Sequence, residues 1–153
     1  TRRSSDLDLV CFGNITITKN LPTIIKAFEL VLKKITNIKL HFVGSVLEDN
    51  IKNLVKEKKI SDNIIFHGFK SPKEANILLN NFLINLNSSF LEGQCVAVYN
   101  AVLAGCALCL PNIMSFRGVF QDKAMFHSRE DYKKLDDLVN NLFEHFKEEL
   151  SKK

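Results

Sequence analysis

Glu92 is the centre of the stretch best able to do chemistry in this sequence. It lies in Ser88-Ser89-Phe90-Leu91-Glu92-Gly93, between an apolar run at 82–86 and a small, apolar segment at 95–104 that Gly105 closes. An apolar strand, a short polar turn and then a helix aim unpaired backbone N–H groups outward, and such a helix start attracts anions. A carboxylate repels an anion, so Glu92 is suited to hold something else, and a sugar hydroxyl answers that description. Without a ligand, Glu92 is a helix N-terminal acid worth about 0.3–1 kcal/mol.

Lys19 is the second candidate. It ends a Thr- and Asn-rich loop, 14–19, behind a run that Gly13 closes, and a lysine there meets either solvent or a phosphate. Arg117, beside Gly118, poses the same choice. His41, His67 and His127 fall within or near strand ends without a shared spacing, and none is assigned a catalytic role. Cys11, Cys95, Cys106 and Cys109 all have apolar neighbours. Cys106 and Cys109 are two residues apart with no second pair or histidine nearby, so buried, reduced thiols are expected rather than a metal site.

The elements that must position these residues alternate regularly. Apolar runs at 7–12, 38–43, 63–67, 82–86 and 106–110 read as strands, with a short sixth at 124–126. Between them lie amphipathic helices. Asn20 is placed to cap the first, Pro22 suits its first turn, and Ile24, Ile25, Phe28, Val31, Leu32 and Ile35 share one face. The second turns Leu47, Ile51, Leu54 and Val55 inward and Lys52, Lys56, Lys58 and Lys59 outward. Ser71-Pro72-Lys73-Glu74 is a capping box for the third. Arg117 falls in a short turn or helix, and the last helix starts near Asp131.

Strands and helices in this order require right-handed crossovers and a parallel sheet covered on both faces, with strand order 3-2-1-4-5-6. Ligands bind such sheets beyond the carboxyl ends of the strands. Gly13, Gly44, Gly68 and Gly93 sit at four such exits, where glycine lets backbone approach a ligand closely.

Composition agrees with a globular α/β domain. The chain has 153 residues and 46% hydrophobic content, enough for a full core. No apolar stretch reaches the roughly 20 residues that span a bilayer, so a soluble segment is expected. The first residue is Thr1, which leads to the expectation of one domain, 1–153, whose upstream part is missing. Net charge is +4, carried by 17 Lys against 4 Arg. These are spread as solvated faces without interleaved aromatics, so no nucleic-acid partner is expected.

On these residues the chain resembles the group 1 family of retaining glycosyltransferases, in the nucleotide-sugar-binding, C-terminal half of the GT-B fold. The family signature has two glutamates with seven residues between them, a glycine after the first, and a small-residue helix ending in glycine. Glu92 and Gly93 match its start, Ser88-Ser89 stands where the family has Pro-Ser, Cys95 replaces a second glycine, and Asn100 replaces the second glutamate. The family also carries Gly-Arg, a short loop and Lys-Gly near this N-terminus. Gly13 and Lys19 match, and Asn14 stands at the arginine position. Phe66-His67-Gly68 fits the family's Phe-x-Gly after the third strand. The resemblance spans 9–145.

What the resemblance implies is a Rossmann-like, doubly wound sheet of about six strands and transfer of a sugar, with retention, from a nucleotide-diphospho-sugar. The acceptor is a glycan, lipid or saccharide held by an N-terminal domain. Glu92 is then the catalytic-site residue that orients the sugar. Gly13, Asn14, Lys19, Gly93, Gln94, Cys95 and Val96 surround the diphosphate, Asn100 takes the ribose, and Gly68, Phe69 and Lys70 take the nucleobase. No metal or other cofactor is implied, since helix dipole and basic groups stabilise the leaving diphosphate. The expected setting is bacterial polysaccharide biosynthesis, in the cytoplasm or at the inner face of the membrane, with peripheral membrane association of the full-length protein.

Asn14 and Asn100 each reduce charge-assisted hydrogen bonds to neutral ones, which together lowers donor affinity by about 10–100-fold. A degenerate, non-catalytic binding or interaction domain is therefore the alternative. An unrelated nucleotide-binding domain is disfavoured, because no GxGxxG or Walker sequence follows any strand.

Overall fold

The computed structural model describes residues 7–46, 49–93 and 95–152. Leu47, expected on the inner face of the second helix, and Gln94, expected at the donor site, lie outside the described residues.

The six apolar runs become six strands: β1 (Leu9–Phe12), β2 (Leu40–Val43), β3 (Ile64–Gly68), β4 (Ile84–Leu86), β5 (Ala107–Pro111) and β6 (Met125–His127). They form one sheet in the order β3-β2-β1-β4-β5-β6, with every strand pair parallel. This is the expected doubly wound order, whose switch point lies between β1 and β4. The strands begin one or two residues later than the apolar runs that predict them. Leu7, Ile38, Phe82 and Leu83 are buried because they enter the core before ladder pairing starts, so burial alone overestimates strand length.

Six helices cover the sheet: α1 (Leu21–Leu32), α2 (Asn50–Glu57), α3 (Pro72–Leu79), α4 (Val96–Leu103), α5 (Met114–Phe120) and α6 (Tyr132–Ser151). Alternation along the strands assigns the two faces. Leu9, Phe42, Ile84 and Cys109 pack with Ile24 and Phe28 of α1, Ile51 of α2 and Val139 of α6. Val10, Leu108 and Leu110 pack on the opposite side with Leu79 of α3, Val98 of α4 and Phe116 of α5. All four cysteines are free and buried, and burial pushes the Cys11 and Cys109 thiols up to about 12. Among the described residues, no helix is long and apolar enough to cross a membrane.

Local signals mostly act where the sequence places them. Ser71 and Glu74 form the capping box, with Ser71 N–H donating to Glu74 at 2.9 Å and Glu74 N–H to Ser71 Oγ at 3.3 Å. Gly105, at φ +78°, ends the chain's turn out of α4. Asn20 differs. It occupies the cap position of α1 at φ +49° without a side-chain cap. Its Oδ1 accepts from Thr23 Oγ1 at 3.2 Å and its Nδ2 donates to the Arg129 carbonyl at 2.8 Å, so it ties α1 to the segment ahead of α6. Arg117 lies within α5, its guanidinium 5.3 Å from the Phe126 ring centre, where stacking on an aromatic face satisfies it.

At the site end of the sheet, Gly44 is the tightest position. Its φ is +149°, and a Cβ there would lie 2.2 Å from the Gly13 carbonyl oxygen and 2.9 Å from Asn14 N. Backbone rather than a flexible side chain blocks it. Gly68, at φ +71°, has nothing within 4 Å of its Cβ position. Gly44→Ala is therefore expected to destabilise by more than about 2 kcal/mol, and Gly68→Ala by about 1 kcal/mol, the left-handed penalty alone. Urea denaturation of both variants checks this, and equal losses would contradict it.

Candidate functional site

Two loops meet where the strand order reverses. After β1 the chain leaves through Gly13, whose N–H donates to the Val43 carbonyl at 2.8 Å, and makes a 3-10 turn, Ile17–Lys19, that ends in Lys19. After β4 it runs through Asn87, Ser88 and Ser89, all buried, into Phe90 to Gly93 and then α4. Phe90 N–H donates to the Thr18 carbonyl at 2.9 Å, which clamps the two loops together.

That clamp brings Lys19 to Glu92. The ammonium donates to Glu92 Oε1 in an ion pair whose side chains are 19% and 11% exposed. Ser89 Oγ donates to the same carboxylate oxygen at 2.6 Å. Asn87 in turn accepts from Ser89 N–H at 2.8 Å, so a short polar network holds Glu92 in place. Burial pushes the Glu92 carboxyl up. The hydrogen bonds from Lys19 and Ser89 and the Lys19 charge outweigh burial and leave it below the ordinary value of 4.5. Glu92 is therefore an anion at neutral pH, held by the Lys19 ammonium and the Ser89 hydroxyl.

The other residues singled out in the sequence fall around this pair or away from it. Gly13 borders it directly, with its Cβ position in ordinary contact at 3.7 Å from Lys19 Cε and Nζ, and its φ of +125° is what favours glycine there. Asn14 turns its Oδ1 to accept from Ser45 N–H at 3.2 Å, fastening the β1 and β2 exits to each other. Cys95 sits at the cap position of α4, its carbonyl accepting from Val98 and Tyr99 N–H at 3.1 and 3.2 Å. Val96, the first residue of α4, is exposed, and so is Gly93. Gly93 and Cys95 line a cavity of about 120 Å³ shared with Tyr99 and α5.

Asn100 is not beside the ion pair. It lines a separate cavity of about 200 Å³ with Asn76 and Asn80 of α3. Lys70 lines another, about 350 Å³, with His67, Glu74 and Ile77, while Phe69 is fully presented to solvent at 73% exposure. Gly68 donates no side chain but its carbonyl accepts from Gly44 N–H at 3.0 Å. A cavity of about 890 Å³ opens between α1 and α2, and neither Lys19 nor Glu92 lines it.

Asn87, Ser89 and His127 belong to the same polar cluster, and the sequence assigns Asn87 and His127 no role. The signal for the first two is Asn85, Asn87 and the two serines interrupting an apolar strand run, since polar residues in the middle of a sheet are retained only where they are bonded. His127 has no local signal. Among the described residues no group of acids, histidines and cysteines could hold a metal ion.

Doubly wound parallel sheets bind their ligands at strand exits near the switch point, where the Lys19–Glu92 pair lies. Comparison narrows that class to one family. The family model for glycosyl transferases group 1 matches residues 2–152, and the chain belongs to this family. Over 88 residues it is 26% identical to a poly(ribitol-phosphate) alpha-N-acetylglucosaminyltransferase of Staphylococcus aureus (strain COL), a match covering 57% of this chain and 17% of that protein.

Among solved structures, a mutant of S. aureus TarM bound to Fondaparinux, alpha-GlcNAc-glycerol and UDP superposes with a TM-score of 0.85 at 18% identity. The match covers 94% of this chain and 29% of that one. The C-terminal domain of the group 1 glycosyltransferase LpcC from Francisella tularensis superposes with a TM-score of 0.77 at 19% identity, covering 90% and 75%. HepE from Anabaena, in complex with UDP and glucose, gives 0.79 at 15%, covering 94% and 40%. The fold is thus that of GT-B C-terminal domains, and the chain spans under a third of the length of TarM.

Because the folded Glu92 carboxyl lies below its ordinary value, its contribution to stability is present above pH 4.5 and is lost as pH falls through the lower folded value. The stability gap between the wild type and Glu92→Gln is expected to be widest near neutrality and to narrow on acidification below about 4.5. Thermal melts of both proteins across this range measure the gap. A gap that stays constant with pH would contradict the ion pair.

Proposed function

We propose that this chain is the donor-binding half of a retaining glycosyltransferase that takes its sugar from a nucleoside diphosphate. The observation that carries this reading is the Lys19–Glu92 pair at the switch point, one cation and one anion held at the start of α4. The diphosphate needs positive charge, which Lys19 and the free N–H groups of α4 supply. The sugar needs acceptors for its hydroxyls, which Glu92 supplies as a fixed carboxylate. On donor binding Lys19 exchanges or shares Glu92 with phosphate oxygens, and the carboxylate gains room for a sugar hydroxyl.

In this reading Gly13 borders Lys19, Gly93, Gln94, Cys95 and Val96 bring backbone to the phosphates, and the base rests by Gly68, Phe69 and Lys70. Asn100 offers the ribose one acceptor and one donor in place of a carboxylate. Charge neutralisation by Lys19 and the helix start makes a metal unnecessary. The acceptor, a glycan or lipid-linked saccharide, is held by a further domain of a longer protein acting in the cytoplasm or at the inner membrane face.

The second reading is a domain that keeps the fold and has lost the chemistry. Asn100 favours it, because that amide shares its cavity with two other amides of α3 rather than with the charged pair.

Titration calorimetry separates the two. The donor reading predicts UDP binding with a dissociation constant of about 0.1–10 mM, weakened about tenfold or more in Lys19→Ala through loss of a charge-assisted contact. Asn100→Glu is expected to keep or strengthen that binding. No UDP or GDP binding by the wild type, together with a lower Tm for Asn100→Glu from an unpaired carboxylate among amides, would establish the degenerate reading.

A further inference from the structure

His127 ends β6, two strands away from β4, yet its ring is 2% exposed and lies against the β4 exit. Its Nε2 is 2.9 Å from the Asn87 carbonyl oxygen and 3.4 Å from Ser88 Oγ. Its Nδ1 is 2.8 Å from the Ser128 carbonyl oxygen. Carbonyl oxygens accept and cannot donate, so a bond to Asn87 requires a hydrogen on Nε2. The ring therefore reaches across the end of β5 and donates to the backbone of the residue that opens the β4 loop. Asn87 is otherwise fixed by its own N–H, which donates to the Cys109 carbonyl at 3.0 Å. Its side-chain Oδ1 accepts from Ser89 N–H at 2.8 Å, and Ser89 Oγ donates to Glu92 at 2.6 Å.

We propose that His127 is a positioning residue for the donor sugar: through Nε2–H it fixes Asn87, Asn87 fixes Ser89, and the Ser89 hydroxyl fixes the Glu92 carboxylate. This rests on the donor reading of Glu92 and goes beyond it by assigning a role to a residue on a different strand that touches no ligand. The line of contact is short and continuous, and every link is a hydrogen bond to a buried group, where an unmet partner is costly. The consequence is selective. Losing the His127 contact leaves Lys19 and the α4 start in place for phosphate, and loosens only the group that reads the sugar.

Two conservative variants divide the ring's two contacts. The amide nitrogen of Gln reaches where Nε2 lies, and that of Asn reaches where Nδ1 lies. His127→Gln keeps a donor at the Asn87 carbonyl, whereas the His127→Asn amide lies at the Nδ1 position beside the Ser128 carbonyl and offers Asn87 no donor. Val139→Ala, a core change on α6 remote from the loop, controls for general destabilisation. The first arm needs no ligand: amide hydrogen exchange at Ser89 and Phe90 is expected to be about tenfold faster in His127→Asn and within about twofold of wild type in His127→Gln and Val139→Ala.

The second arm titrates UDP, UDP-glucose and UDP-N-acetylglucosamine. For whichever nucleotide-sugar the wild type binds, His127→Asn is expected to weaken it about tenfold while UDP stays within about twofold. Exchange rates and affinities that match between the Gln and Asn variants overturn the proposal, as does an Asn variant that behaves as wild type. Absence of all nucleotide binding by the wild type overturns the donor reading instead, and the exchange arm still decides whether His127 holds the loop.

Discussion

The structure at the switch point depends on the attraction between the Lys19 ammonium and the Glu92 carboxylate. The two residues are 73 positions apart and belong to loops that leave neighbouring strands. Both are largely withdrawn from water, so neither charge is tolerable without the other. A lone charge in such a place costs several kcal/mol, and removing one partner is far more damaging than removing both. The surroundings serve that pairing. Gly13 turns the chain out of β1 at φ +125°, Gly44 lets β1 and β2 exit side by side, and the Phe90–Thr18 backbone bond holds the loops in register.

The two charges of this pair are unequally satisfied, which is what the proposed donor site needs. A structural ion pair is best surrounded by groups that satisfy each charge fully. Here the carboxylate receives Ser89 besides Lys19, while the ammonium has Glu92 as its single ionic partner among the described residues. The start of α4, with its unpaired N–H groups, stands beside them. A polyanion brings to Lys19 and α4 what the protein itself supplies to Glu92. Family membership and the fold agree with such a ligand. The proposed chemistry then divides between a cationic side for phosphate and an anionic side for hydroxyls.

Much of this was legible in the sequence, for identifiable reasons. Strand order followed from alternation of apolar runs with amphipathic helices, because handedness leaves few ways to connect them. The α3 capping box and the glycine closing α4 follow from local backbone chemistry and hold as read. Strand starts were misplaced because Leu7, Ile38 and Phe82 are buried before the ladder begins. Asn20 was read as a cap and instead bridges α1 to Arg129. Arg117 was left between phosphate and solvent, and it is exposed beside the Phe126 ring. The Asn20 partner lies 109 positions away in the chain, which no local pattern encodes. The direct Lys19–Glu92 bond and the reach of His127 across β5 are of the same kind: the residue types were visible, their pairing was not.

The most direct test of the account is a UDP titration followed by amide chemical shifts of the 15N-labelled domain. If the charged pair at the switch point is the donor site, the largest shifts fall on Gly13, Lys19, Glu92, Gly93 and Val96, and saturate together. Shifts confined to the cavity between α1 and α2, at Thr23, Asn53 and Leu54, or no shifts at all with millimolar UDP, would contradict it.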